Sequence, residues 1–306
     1  MNLSVYFSKN YWSPYLSKKL RLVKSFFMAL GFIWLIIAIS TYFYSDLPNQ
    51  IKGYWWLCVL IPTIWSIFDN RPTLSVHQRL IGRDVIIEIC IGDIFQFKGA
   101  YVVGSNTTFD TEVGNGLISA KSIQGQFTER YYGDVKHLDV DLDDALRSEK
   151  YTEFTSDKRG KKKEYAIGTV AKVENKTVEA YFLAIASLNQ HGVASSSFEN
   201  IQVSLSCVWD YIANRGGINP LVIPILGSGF SRIEVPRDQI IKEIIRSFVA
   251  ACATKRFTEK LTIVIHPEDF RKYDLDLAEL NEFLMYQCKY TEFKNQTDSG
   301  RGTGIS

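Results

Sequence analysis

The 306-residue chain carries 35 Lys+Arg against 33 Asp+Glu, a formal net charge of +2. Such a chain lacks the global basic field that nucleic-acid binding requires, so nucleic acid is not an expected partner. Its length suits a short membrane module followed by one globular domain of about 200 residues. The five cysteines are widely spaced without a C-x-x-C and read as buried thiols of a reducing compartment.

Residues 1–24 mix Tyr6, Phe7, Tyr11, Trp12 and Tyr15 with Lys9, Lys18 and Lys19. They suit a cytoplasmic segment lying on lipid headgroups and a frayed terminus equally well. Between Lys24 and Asp46 there is no formal charge, and residues 25–44 give roughly 30 Å of helix, the hydrocarbon thickness of a bilayer. A second uncharged run, 53–68, is shorter; Lys52 can snorkel, Trp55, Trp56 and Trp65 suit the interfaces, and a kink is expected near Pro62. The short link between the runs makes 25–69 a two-helix transmembrane hairpin. Lys18, Lys19, Arg21 and Lys24 on one flank, and Arg71, Arg79 and Arg83 on the other, place both ends in the cytoplasm. A signal peptide would need a small-residue cleavage site, and a buried core hairpin rarely runs this far without a charge.

Residues 70–83 read as a linker, and from residue 84 strands and helices alternate. Strands are expected at 85–90 and 100–103 and a helix at 116–130. A polar stretch follows with Asp139, Asp141, Asp143 and Asp144, which reads as caps and solvated surface rather than a cation site. Segments 165–173 and 178–188 read as an antiparallel hairpin turning at Asn175 and Lys176. A helix over 197–214 stops at Gly216 and Gly217, strand 221–226 precedes a helix over 239–253 begun by Pro236, and strand 261–265 precedes a helix over 275–286. The tail 294–306 reads as disordered. This order defines an α/β sheet, with parallel strands, helices on both faces and ligands at the strand carboxyl ends.

At three strand ends small residues meet a polar group: Gly92-Asp93-Ile94, Gly104-Ser105-Asn106 and Gly227-Ser228-Gly229-Phe230. In the third, two glycines around a serine let successive N–H groups converge as a nest for a diphosphate, with Phe230 placed to close over a base or ribose. An ordinary strand-to-helix turn is the alternative. The four histidines show no metal-ligand spacing, and Ser228 lacks the G-x-S-x-G elbow and a triad base, so no metal, cofactor or catalytic residue is assigned. Lys158, Arg159, Lys161, Lys162 and Lys163 form a basic loop, either a contact for anionic headgroups or a solvated connection.

Over roughly residues 84–293 these motifs in this order resemble the macro domain family, an ADP-ribose-binding three-layer α/β/α fold with a mixed sheet. The resemblance implies that Asp93 meets the adenine amino group with Ile94 beside the base, and that Asn106 lies near the distal ribose. It also implies that Gly114, Gly116, Leu117 and Ile118 belong to a shortened first phosphate loop, and that Gly227, Ser228, Gly229 and Phe230 belong to the second. The family's usual Asn-rich segment before Asn106 is reduced here to Val103-Gly104-Ser105, and the triple glycine of hydrolytic members to Gly114-Asn115-Gly116. A non-catalytic sensor is therefore expected ahead of a membrane-tethered ADP-ribosyl hydrolase or a structural anchor.

Two membrane spans ahead of a macro domain are similar to the membrane effectors of type II Thoeris anti-phage defence. That likeness implies a bacterial inner-membrane protein and a partner TIR-domain enzyme making an ADP-ribose derivative, histidine-ADP-ribose. Binding would drive homo-oligomerisation and membrane disruption.

Overall fold

A computed structural model describes residues 19–44, 49, 52–70, 74–113, 117–154, 159–189, 191–227 and 235–291. The chain divides into two compact units, one ending at Leu74 and one beginning at Ser75.

In the first unit, helix α1 (Lys19–Phe43) has 25 residues and α2 (Leu57–Asp69) has 13. At about 1.5 Å per residue these are roughly 38 and 20 Å long, against a hydrocarbon core of about 30 Å. Among the described residues one helix, Leu20–Phe43, is long and apolar enough to cross a membrane, and almost none of it is buried within the protein. The second apolar run gives a shorter helix than expected, because Lys52–Tyr54 form a 3-10 turn and Trp55 and Trp56 a further turn before α2 begins. The helices lie antiparallel. The Ser25 hydroxyl donates to Asp69 (2.5 Å) and the Ser66 hydroxyl to the Leu22 carbonyl (2.9 Å), so the start of α1 meets the end of α2.

The second unit holds β1 (Ser75–Leu80), β2 (Val85–Ile91), β3 (Ala100–Asn106), β4 (Tyr151–Glu153), β5 (Lys163–Tyr165), β6 (Val170–Glu174), β7 (Glu179–Leu188), β8 (Ala194–Ser195), β9 (Leu221–Pro224) and β10 (Lys260–Ile265). Its helices are α3 (Ile123–Tyr131), α4 (Val135–Ala145), α5 (Phe198–Arg215), α6 (Arg237–Thr254), α7 (Pro267–Lys272) and α8 (Leu277–Tyr290). The main sheet runs β1-β2-β10-β9-β3-β7-β6, with β8 added to β7. Strands β2, β10, β9, β3 and β7 are parallel, while β1 and β6 pair antiparallel at the two ends, so the sheet is mixed.

Alternation along β7 sorts the helices into layers. Tyr181 meets Tyr211 of α5 with ring centroids 6.1 Å apart, and Phe182 on the opposite face meets Phe127 of α3 at 5.5 Å. Helices α5, α6 and α8 cover the first face, while α3 and α4 cover the second over β3 and β6. On that second face Phe127, Leu138, Leu142 and Phe182 are fully buried, each contributing about 1.5–3 kcal/mol.

The structure departs from the sequence expectations in several places. The helix expected over 116–130 starts only at Ile123, capped by the Ser122 side chain, because residues 119–122 turn back: a Cβ on Gly125 would lie 2.4 Å from the Ser119 carbonyl oxygen. The acidic stretch is itself the helix α4, and its acids lie on the solvated side as expected; Asp139 and Asp143, one turn apart, both pair with Lys161 at 2.8 and 3.0 Å. Tyr165 belongs to β5 in a separate two-stranded sheet with β4, and the β6–β7 hairpin begins at Val170. Strand β1 falls inside 70–83, where a linker was expected.

Candidate ligand-binding site

Because β2, β10, β9 and β3 run parallel, their carboxyl ends open on one rim of the sheet. Ile91 pairs with Ile265, the Gly92 N–H donates to the Ile265 carbonyl at 3.0 Å, and Val264 pairs with Pro224. Asp93, Asn106, Gly227 and His266 are thereby brought to the same end.

Asp93 caps the 3-10 turn Ile94–Gln96: its Oδ1 accepts the Phe95 N–H at 3.0 Å, and its Oδ2 makes no hydrogen bond among the described residues. Ile94 is buried at 4% exposure in the core of the second face. Beneath this turn the Tyr101 hydroxyl donates to the Phe97 carbonyl at 2.8 Å and accepts from Tyr131 at 3.2 Å. Burial first, then the bond from Tyr131, pushes its pKa well above the usual tyrosine value, so it stays a neutral brace.

Asn106, 8% exposed, folds its side chain back on its own loop. Its Oδ1 accepts from the Thr108 N–H (3.2 Å), the Thr108 hydroxyl (3.2 Å) and the Asp110 N–H (3.1 Å), and its Nδ2 donates to Asp110 Oδ2 (3.1 Å). Asp110 is 2% exposed and also accepts from the Thr108 hydroxyl at 2.6 Å and the Lys161 N–H at 2.8 Å. Its carbonyl accepts from Gln124 of α3 at 2.6 Å, which ties the loop to the helix start. A buried carboxylate needs this many donors to remain inside the fold. Leu117 packs against the same spot, since a Cβ on Gly160 would come within 2.9 Å of its Cδ1, and the Ile118 N–H closes the loop base on the Glu112 carbonyl at 3.0 Å.

Gly227 sits at φ +68°, a conformation that favours glycine, and its carbonyl accepts from Arg237 Nη1 at 3.2 Å. Arg237, the first residue of α6, is 7% exposed, and its guanidinium lies 4.9 Å from the ring centroid of Tyr273. Its hydrogen bond is the main cause of a lowered Tyr273 pKa. Burial raises the pKa of Asp269, with His266 and Arg237 opposing.

Of the expected site residues, Asp93, Ile94, Asn106 and Gly227 share the rim, and Leu117 and Ile118 join it through the Asp110 loop. Gly114, Gly116, Ser228, Gly229 and Phe230 lie outside the described residues. Arg237, Tyr273 and Asp110 were missed from sequence. Pro236-Arg237 at the helix start carried the one signal for Arg237, and nothing local marked Asp110. Among the described residues no group of three or more His, Cys, Asp and Glu could hold a metal ion.

A mixed sheet between helical layers, with an Asp-capped turn after one strand, an Asn ending another and a glycine turn after a third, defines a macro-domain protein. The family model described as Thoeris protein ThsA, Macro domain, matches residues 87–266, more than half of the chain, and the chain belongs to that family. Among curated proteins it is 26% identical over 235 residues to "Thoeris protein ThsA" of Bacillus amyloliquefaciens (strain Y2), covering 74% of each chain. Among solved structures, a mutant Oceanobacillus iheyensis macrodomain has a TM-score of 0.46 at 12% identity, covering 69% of this chain and 99% of its own. The same macrodomain with MES bound has a TM-score of 0.43 at 13% identity, covering 68% and 97%.

Proposed function

We propose that this protein is a membrane-anchored sensor of anti-phage defence whose macro domain binds an ADP-ribose derivative without turning it over. The observation that carries this reading is the Asn106 carboxamide, whose Oδ1 is bonded to Thr108 and Asp110 and whose Nδ2 is bonded to Asp110. The group a hydrolytic member would use to orient water is here holding a loop. In this reading Asp93 Oδ2 accepts from the adenine amino group beside Ile94. The segment with Gly114, Gly116, Leu117 and Ile118 takes one phosphate, and Gly227, Ser228, Gly229 and Phe230 take the other and the adjoining ribose.

The signal is histidine-ADP-ribose made by a TIR-domain enzyme, and its binding favours an assembled state that disrupts the membrane. For that the ligand must prefer the assembled form by several kcal/mol, since equal affinity for both states shifts nothing. The chain is a multi-pass protein of the bacterial cell membrane with its N-terminus and macro domain in the cytoplasm. The Ser25–Asp69 bond supports this by joining the start of α1 to the end of α2, the end where Arg21 and Lys24 lie.

Calorimetric titration of the full chain in lipid nanodiscs with ADP-ribose and with its histidine conjugate, with chromatography for products, tests the reading. Tight binding of the conjugate without turnover, lost in Asp93→Ala, is expected. Turnover would make the protein a membrane-tethered hydrolase, and no binding of either ligand would leave a structural anchor.

A further inference from the structure

The basic loop Lys158–Lys163 joins β4 to β5, and its described part, from Arg159 onward, is seated against one end of the ligand rim. Hydrogen bonds from both the loop and β5 fix it there. The Lys161 N–H donates to Asp110 Oδ1 at 2.8 Å, the Tyr165 N–H to the Thr107 carbonyl at 2.8 Å, and the Thr107 hydroxyl to Glu164 at 3.1 Å. Gly160 approaches Leu117 so closely that a Cβ would come within 2.9 Å of its Cδ1. The hairpin therefore borders both the Asn106–Asp110 loop and the Leu117 segment. Asp93 follows β2, and along the order β2-β10-β9-β3 it stands three strand spacings, roughly 14 Å, from Asn106. A ligand whose base meets Asp93 and whose second ribose reaches Asn106 has its far end at this hairpin.

The cations of the hairpin are not equivalent. Lys161 Nζ is held by Asp139 and Asp143 of α4, and Lys163 Nζ lies 4.7 Å from the ring centroid of Tyr151. Arg159 is exposed and makes no hydrogen bond or ion pair among the described residues. Its guanidinium carries forked donors that match the two oxygens of a carboxylate.

We propose that the β4–β5 hairpin reads what the ligand carries beyond its second ribose, with Arg159 pairing a carboxylate on that group. This rests on the ligand reading above, in which the base meets Asp93 and the second ribose lies near Asn106. The hairpin then favours an acid-bearing conjugate over plain ADP-ribose. General attraction of the diphosphate by the charge of the loop would instead act on every ADP-ribose compound alike.

The test is calorimetric titration of the full chain in lipid nanodiscs with ADP-ribose, its histidine conjugate and its histamine conjugate, which lacks only the carboxylate. The histidine conjugate should bind roughly three- to tenfold more tightly than the histamine conjugate, and the difference should shrink in high salt. Arg159→Gln should abolish that difference while leaving the affinity for ADP-ribose and the thermal midpoint unchanged, and Arg159→Lys should keep part of it. Equal binding of the two conjugates by the wild-type chain would overturn the role of the hairpin and leave the ligand reading standing. So would an Arg159→Gln loss shared by all three ligands, which marks general attraction. No binding of any of the three would overturn the ligand reading itself, and the role of the hairpin with it.

Discussion

Gly160 and Asp110 approach so closely that a Cβ on Gly160 would lie 2.3 Å from Asp110 Oδ1. The next residue, Lys161, donates its backbone N–H to that same oxygen at 2.8 Å, and Gly160 itself is at φ +88°. The basic loop itself is thus wrapped around the buried carboxylate that also orders Asn106.

Gly160→Ala should therefore be costly. A left-handed alanine costs about 1–2 kcal/mol, and displacing a charge-assisted hydrogen bond about 1.5–3 kcal/mol. Thermal unfolding followed by intrinsic fluorescence should show Tm lowered by roughly 5–15 °C. An unchanged Tm would mean that Asp110 has room to move.

Asp110→Asn keeps the shape but turns an amide N–H toward the Asn106 amide and the Thr108 hydroxyl. A loss of about 1–3 kcal/mol is expected, together with weaker ADP-ribose binding in the titration described above. Thr108→Ala removes one donor from the same oxygen and should cost less.

Gly104 lies where a Cβ would come within 2.6 Å of Ile185 Cδ1. Gly104→Ala should destabilise by about 1–3 kcal/mol through overpacking. Ile185→Val removes the colliding methyl, so the double variant should recover part of that loss. Simple additivity in a double-mutant cycle would show that the clash is relieved elsewhere.

Stability should fall in acid partly through Glu179. Burial alone would raise its pKa, but hydrogen bonds from Tyr181, Asn219 and Lys172 outweigh burial and hold it below the ordinary 4.5. A depressed folded-state pKa gives stability that is complete above the unfolded value and lost as pH falls through the folded one. Denaturation profiles should therefore decline below about pH 4.5, and Glu179→Gln should flatten that decline while lowering neutral-pH stability by about 1 kcal/mol.

Arg237→Lys retains the charge but loses the planar fork between the Gly227 carbonyl and the Tyr273 ring. Affinity for ADP-ribose should fall about ten- to a hundred-fold, matching about 1.5–3 kcal/mol for a charged hydrogen bond. Unaltered affinity would separate Gly227 from the ligand site.

The alternation of apolar runs with glycine and proline turns made the central strands and the helices α5, α6 and α8 legible, because periodicity and caps are local signals. Helix α4 was not, because its core face rests on little more than Leu138 and Leu142 among many acids, and the Lys161 that neutralises two of them is distant in sequence. Strand β1 escaped for a related reason: as an edge strand it alternates His77 and Arg79 with Gln78, whose inward amide finds Asn281 of α8 at 3.1 Å. At the site, Asp93, Asn106 and Gly227 are marked by their position after apolar runs. Asp110, Gly160 and Arg237 act through partners that only the folded chain brings near.

The antiparallel β1 has one more consequence. Ser75 pairs with Cys90, two residues before Gly92, so the polypeptide joins the sheet beside the rim from which the parallel strands depart. Entry at that end lets the chain begin the second unit at the edge of the sheet without having to cross it.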